Sequence, residues 1–187
     1  LGPIEFNKRQ IVRVAYNLLR WLDTWEDSPE RSLSVEDKKW GIDKLCYLVG
    51  EVAIRNSSRN IVDLIQSETL STMTEKLGAA VIKPNEKIFV RQAGYGTILD
   101  EMHQLDHNSQ EFVDYVVRRM AGGMREFLER GETQTEDQLR GYCRYVAGGI
   151  GRFLTRVVAD KDKIGGAPVL LDEEKAQSFG EYLQLTN

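Results

Sequence analysis

The chain has 187 residues, 41% of them apolar and 29% charged, with a net charge of −4. That balance describes one soluble globular domain with enough apolar material for a single core. An acidic chain without a basic block excludes a nucleic-acid-binding surface, and no apolar run reaches the roughly 18–20 residues of a membrane span.

Seven segments carry a helical period, and none alternates as a strand would. The first covers residues 7–26 and is stopped by Ser28-Pro29. On it Tyr16, Arg20, Asp23 and Asp27 stand at i, i+4, i+7 and i+11, so they share one face. Asp23, Glu26 and Asp27 crowd its C-terminal end, where the macrodipole disfavours each negative charge by ~0.3–1 kcal/mol. Asp23 also repels Asp27. A bound divalent cation gives this local penalty a purpose. The second helix opens at Ser34 as N-cap, with Asp37 three residues on, and carries Trp40, Leu45, Leu48, Val49 and Val52.

The third segment spans residues 60–81, weakened by Gly78 and closed by Lys83-Pro84. The fourth, residues 86–105, has Ile88, Ala93, Ile98, Leu99 and Met102 on its apolar positions. The fifth opens after Asn108-Ser109 and ends at Arg130-Gly131. The sixth starts at Thr135, where Gln138 completes a capping box, and runs to residue 159. Residues 160–170, with Gly165-Gly166 and Pro168, read as a loop, and the seventh helix begins at Asp172. The expected fold class is all-α, a single domain over residues 1–187. Its edges look cut, because Asn187 falls inside an unfinished helical pattern. The opening Leu1-Gly2-Pro3 leads straight into a helix and offers no signal peptide.

Gly122-Gly123 in the fifth helix and Gly148, Gly149 and Gly151 in the sixth each cost about 0.8–1 kcal/mol relative to Ala. Two explanations stand: close helix packing, or room beside the helix for a long apolar ligand. Tyr142, Val146, Gly149, Ile150 and Phe153 share one face of the sixth helix. Such a wall, apolar with a single phenol, suits a greasy substrate. Cys46 and Cys143 lie in apolar patterns without metal-ligand spacing and read as buried thiols of a reducing compartment. His103 and His107 read as surface histidines.

Four stretches, in order along the chain, resemble known motifs. Tyr16-Asn17-Leu18-Leu19-Arg20-Trp21-Leu22-Asp23-Thr24-Trp25-Glu26-Asp27 is similar to Y-x-x-x-R-x-x-D-T-x-E-D. Arg118-Arg119-Met120-Ala121-Gly122-Gly123-Met124-Arg125-Glu126-Phe127-Leu128 is similar to R-R-M-x-x-G-M-x-x-F-L. Tyr142-Cys143-Arg144-Tyr145-Val146-Ala147-Gly148-Gly149-Ile150-Gly151 is close to Y-C-x-Y-V-A-G-x-V-G. The stretch from Ala176 through Phe179 and Tyr182 to Asn187 is similar to the approach to a second aspartate-rich motif. These are motifs of the head-to-head prenyl synthases, which include squalene, phytoene and dehydrosqualene synthases. The D-T-x-E-D and Y-C-x-Y-V-A-G forms resemble the squalene branch most.

The resemblance implies a helical bundle around a central apolar cavity. It also implies Mg²⁺-dependent condensation of two farnesyl diphosphates to presqualene diphosphate, then NADPH-dependent reduction to squalene. Asp23 and Asp27, with Glu26 nearby, would hold the Mg²⁺ that bridges a prenyl diphosphate, and Arg20 would pair with the leaving diphosphate. Tyr142 matches a tyrosine beside the reacting carbons and Tyr16 a second pocket tyrosine. Val146, Ile150 and Leu154 would line the prenyl channel, while Gln184 and Asn187 match polar residues beside the second metal site. NADPH rests on the resemblance alone, since no G-x-G-x-x-G fingerprint is present. The resemblance further implies a monomer, cytoplasmic or peripheral at the cytoplasmic face of a membrane (the endoplasmic reticulum in a eukaryote), with any tether outside this chain.

Departures from the family pattern are definite. The second aspartate-rich motif and an upstream Ser-Arg segment lie outside the chain, and Arg144 stands where squalene synthases commonly carry His. Two alternatives therefore stand beside the main reading. One is a dehydrosqualene, presqualene diphosphate or phytoene synthase; the other is a non-catalytic helical fragment or degenerate relative.

Overall fold

An apolar stripe along the first helix organises the core. In the computed structural model, which describes residues 3–54, 61–80, 94–131, 135–159 and 172–186, helix α1 runs Pro3–Glu26. Val14, Leu18, Trp21, Leu22 and Trp25, spaced three or four apart, are buried on one face of it. That face packs on α2 (Val35–Ile54) and on two later helices, α5 (Tyr95–His103) and α6 (His107–Arg130). Trp21 stacks on Tyr95 with centroids 3.8 Å apart, and the Trp25 indole donates to the Tyr95 hydroxyl at 2.6 Å. Two large rings thereby bury their bodies while the polar tips satisfy one another. The capping box expected at α2 forms in both directions: Asp37 N donates to Ser34 Oγ, and Ser34 N to Asp37 Oδ2.

The third segment is two helices, not one. Ile61–Ile65 (α3) stops, Ser67 adopts an extended backbone and accepts from Leu70 N, and Glu68–Ala79 (α4) begins. A local N-cap outcompetes the continuous apolar period here. Helix α6 is capped by Asp106 rather than by Asn108-Ser109; Asp106 accepts from both the Ser109 backbone N and hydroxyl. Its other end is Gly131, whose φ of 80° is open to glycine. Ile88, Ala93, Lys83-Pro84 and the 160–170 loop lie outside the described residues.

The sixth segment departs most from expectation. Thr135 caps α7 (Glu136–Cys143), a π-helical turn follows at Arg144–Gly148, and α8 runs Gly149–Ala159. A π turn holds extra residues, so faces before and after it are out of register with a straight helix. Helix α9 (Glu173–Leu185), capped by Asp172, lies across α8 and the π turn. Three of the interior glycines of these two segments serve close packing of this kind. A methyl at Gly151 would strike the Ala176 carbonyl of α9, one at Gly180 the Ala147 carbonyl, and one at Gly123 the Tyr145 side chain. Close packing is thus what Gly123, Gly148 and Gly151 supply, whereas a methyl at Gly122 would meet open space and one at Gly149 only ordinary contact with Arg119. Among the described residues, no helix is long and apolar enough to cross a membrane.

Candidate active site

The flank of α1 beside its core stripe faces α8 across a cleft of about 410 Å³. Val12, Tyr16, Leu19, Arg20, Asp23, Thr24 and Asp27 form one wall, and Ile150, Phe153 and Leu154 the other. Positions 12, 16, 19, 20, 23 and 27 recur at helical spacing, so one helix face carries both the greasy wall and the ionic end. The face inferred for Tyr16, Arg20, Asp23 and Asp27 is therefore the cleft wall. Val12, Leu19 and Phe153 complete it; the same spacing, extended one turn back from Tyr16, points to Val12.

At the ionic end Arg20 Nη1 donates to the Tyr16 hydroxyl at 3.3 Å. Asp23 lines the cleft as an exposed residue. Desolvation, followed by the Asp27 charge, pushes its carboxyl up to about 7, with Arg20 opposing. The helix end itself is well satisfied. Thr24 Oγ1 donates to the Arg20 carbonyl at 2.8 Å and Ser28 Oγ to the Thr24 carbonyl at 2.7 Å. The buried Lys38 ammonium donates to the Glu26 carbonyl at 2.7 Å, placing a positive charge where the macrodipole is negative. Lys38 went unnoticed in the sequence. Its signal was a lysine in the first turn of α2, where the dipole opposes a cation unless a partner compensates.

Glu26 turns out of the cleft, a rotation of roughly 100° from Asp27. It is 7% exposed, and both its oxygens accept from the Tyr142 hydroxyl, at 3.0 and 2.9 Å. Burial pushes Glu26 up to about 7; the Tyr142 hydrogen bond opposes, and the Asp27 and Asp23 charges add. Burial, then the Glu26 charge, raises the Tyr142 phenol in turn. Tyr142 packs on Phe127 with centroids 4.8 Å apart and borders a second cavity of about 270 Å³ beside Tyr145 and Gln138. The π turn explains why Tyr142 and Ile150 do not share one wall.

Val146 is 5% exposed and belongs to the core, not the cleft. Ile150 and Leu154 do line the cleft. Gln184 is half-buried in the last turn of α9, away from the cleft, and Asn187 lies outside the described residues. Arg144 pairs with Glu181 at 3.2 Å and fastens the π turn to α9. His103 and His107 are exposed, and His107 meets Glu111 at 3.4 Å. Cys143 is buried and Cys46 half-buried; both are free thiols.

Among the described residues no three His, Cys, Asp or Glu side chains group as a metal cage. The cleft offers a carboxylate pair, Asp23 and Asp27, beside an arginine. That donor set fits Mg²⁺, which takes one or two carboxylates, keeps waters, and completes its shell with phosphate oxygens.

The sequence model of the Squalene/phytoene synthase family matches residues 5–187. The chain belongs to that family. Among relatives, the squalene synthase of Homo sapiens is 36% identical over the whole chain and that of Mus musculus 32%, each covered over 38% of its own length. Squalene synthase R6 of a Phoma species is 27% identical over 93% of the chain and 36% of its own. This family member thus spans less than half the length of those relatives. A solved structure of TcSQS with the ligand BPH1237 superposes with a TM-score of 0.67, at 24% identity, over 97% of this chain and 45% of the other. That likeness supports the all-α, isoprenoid-synthase-like fold.

Proposed function

We propose that the α1–α8 cleft binds a prenyl diphosphate, and that the protein takes part in Mg²⁺-dependent condensation of two farnesyl diphosphates, with NADPH-dependent reduction to squalene. One observation carries this: a carboxylate pair and an arginine close one end of an otherwise apolar cleft. Asp23 and Asp27 would hold the Mg²⁺, whose charge would neutralise the departing diphosphate. Arg20, oriented by Tyr16, is placed to fork onto diphosphate oxygens. Val12, Leu19, Ile150 and Leu154 keep water from the allylic carbon. Tyr142, which borders the second cavity with its hydroxyl tied to Glu26, would act by holding the acidic turn in place rather than at the reacting carbons. NADPH would supply hydride for the second half-reaction; support for it comes from the family likeness only. We place the protein, as a monomer, in the cytoplasm or at the cytoplasmic face of a membrane, the endoplasmic reticulum in a eukaryote, on the same basis.

Product analysis tests the reading. Farnesyl diphosphate with Mg²⁺ should give squalene only when NADPH is added. Dehydrosqualene or presqualene diphosphate regardless of NADPH would put the protein on the non-reducing branch. No product from any prenyl diphosphate would make it a non-catalytic relative.

A further inference from the structure

A small hollow between α6 and α8 has a lining unlike the rest of this acidic chain. Positions 112, 115, 116 and 119 line it from α6, and positions 149, 152, 153 and 156 from α8. Each set recurs at three or four residues, so one face of each helix makes each wall. Its apolar part includes the Phe112–Phe153 stack, with ring centroids 5.0 Å apart. Its charged part is three arginines, Arg119, Arg152 and Arg156, and no carboxylate belongs to the lining. Such a concentration of cations is notable in a chain whose net charge is −4.

The three guanidinium groups are unequally compensated. Arg152 and Arg156 share one acid, Glu173 at the start of α9, at 3.1 and 2.9 Å. Arg119 lies over the Tyr145 ring, 5.7 Å from its centroid. Its Nε is buried and meets no hydrogen-bond acceptor among the described residues. Three like charges drawn together against one acid repel one another, and a bound anion would offset that repulsion.

We propose that this hollow is an oxyanion site for a single phosphoryl or sulfate group, free or carried on a larger molecule. A guanidinium presents its donors in a fixed fork that matches two oxygens of such a group. Arg119 supplies a buried donor in need of an acceptor, while Glu173 already holds Arg152 and Arg156 in place. The aromatic pair beside them limits competition from water and strengthens each charged hydrogen bond. All the positive charge comes from the protein, so the site works without a metal ion. The inference stands independently of the prenyl diphosphate reading of the cleft.

The test is calorimetric titration of the protein with inorganic phosphate in the presence of EDTA, which silences Mg²⁺-dependent binding in the cleft. One saturable event at millimolar phosphate or below is expected. Arg119→Gln and Arg152→Gln should each weaken it by at least ~10-fold, the scale of one lost hydrogen bond to a charged group. Asp27→Ala should leave it unchanged. Should Arg119→Gln fail to fold, Arg156→Gln, at a more exposed position, decides in its place. Sedimentation with phosphatidylcholine vesicles, with and without phosphatidic acid, separates the two sources of the group. Arginine-dependent capture by the phosphatidic acid vesicles would assign it to a lipid headgroup, and phosphate binding without such capture to a soluble ligand; both support the site. Absence of saturable phosphate binding together with absence of vesicle capture overturns it. So does binding that is indifferent to all three arginines.

Discussion

The last turn of α1 has two sides that a sequence motif runs together. Asp23 and Asp27 face the cleft, one turn apart, with Arg20 beside them. Glu26, adjacent in the chain, is sealed between helices, gripping Tyr142 through its side chain and Lys38 through its carbonyl. The first side lines the cleft with carboxylates and an arginine; the second pairs the Glu26 carboxylate and carbonyl with Tyr142 and Lys38. Adjacent acidic residues of one motif thus stand in separate places: one pair lines the cleft, where a cation is proposed, and the third ties α1 to α7.

Loss of the cleft pair should have the largest effect. Asp23→Ala or Asp27→Ala is expected to cut Mg²⁺-dependent turnover by at least about 100-fold, the scale seen when a transition-state charge loses a key partner. Melting temperature should hold or rise, because each carboxylate costs stability where it stands. Steady-state kinetics and thermal melts check both halves. Full activity in both variants with Mg²⁺ would remove the cleft's role.

The sealed side should answer in stability first. Glu26→Ala leaves the Tyr142 hydroxyl buried without its acceptor and should cost about 1–3 kcal/mol in denaturant unfolding. Glu26→Gln keeps an acceptor and should cost less. Neither should weaken Mg²⁺–diphosphate binding as Asp27→Ala does. If Glu26→Gln abolished that binding, the two sides would be one site.

A smaller effect separates them by pH. Asp23 and Glu26 both have folded-state values raised to about 7. Between the unfolded carboxylate range near 4 and about 7, the folded chain holds more protons than the unfolded one. Stability without Mg²⁺ should therefore fall as pH rises through that window. Glu26→Gln should remove part of that fall, on the order of 1–3 kcal/mol across the window, and Mg²⁺ with inorganic pyrophosphate should restore stability at pH 8 through the cleft side only. Melting curves from pH 4 to 8 read both effects.

Much of this was legible in the sequence because helical period is a strong local signal. Tyr16, Arg20, Asp23 and Asp27 share a wall for the reason that residues four apart share a face. Capping residues at Ser34 and Thr135 marked helix starts correctly, since each accepts a backbone N–H that a helix leaves unpaired. What failed was non-local. A π turn at Arg144–Gly148 has no periodic signature, and it moved Tyr142 and Val146 off the cleft wall. The Ser67 break was hidden inside a continuous apolar pattern. Glu26 meeting Tyr142 joins positions 116 residues apart, and no spacing rule foretells that contact.

Calorimetric titration of the protein with farnesyl thiodiphosphate, an analogue whose leaving group departs slowly, is the most direct test of the cleft. Binding should require Mg²⁺ and vanish in Asp27→Ala while surviving in Glu26→Gln. Equal affinity in the presence of a chelator, or undiminished affinity in Asp27→Ala, would contradict the account.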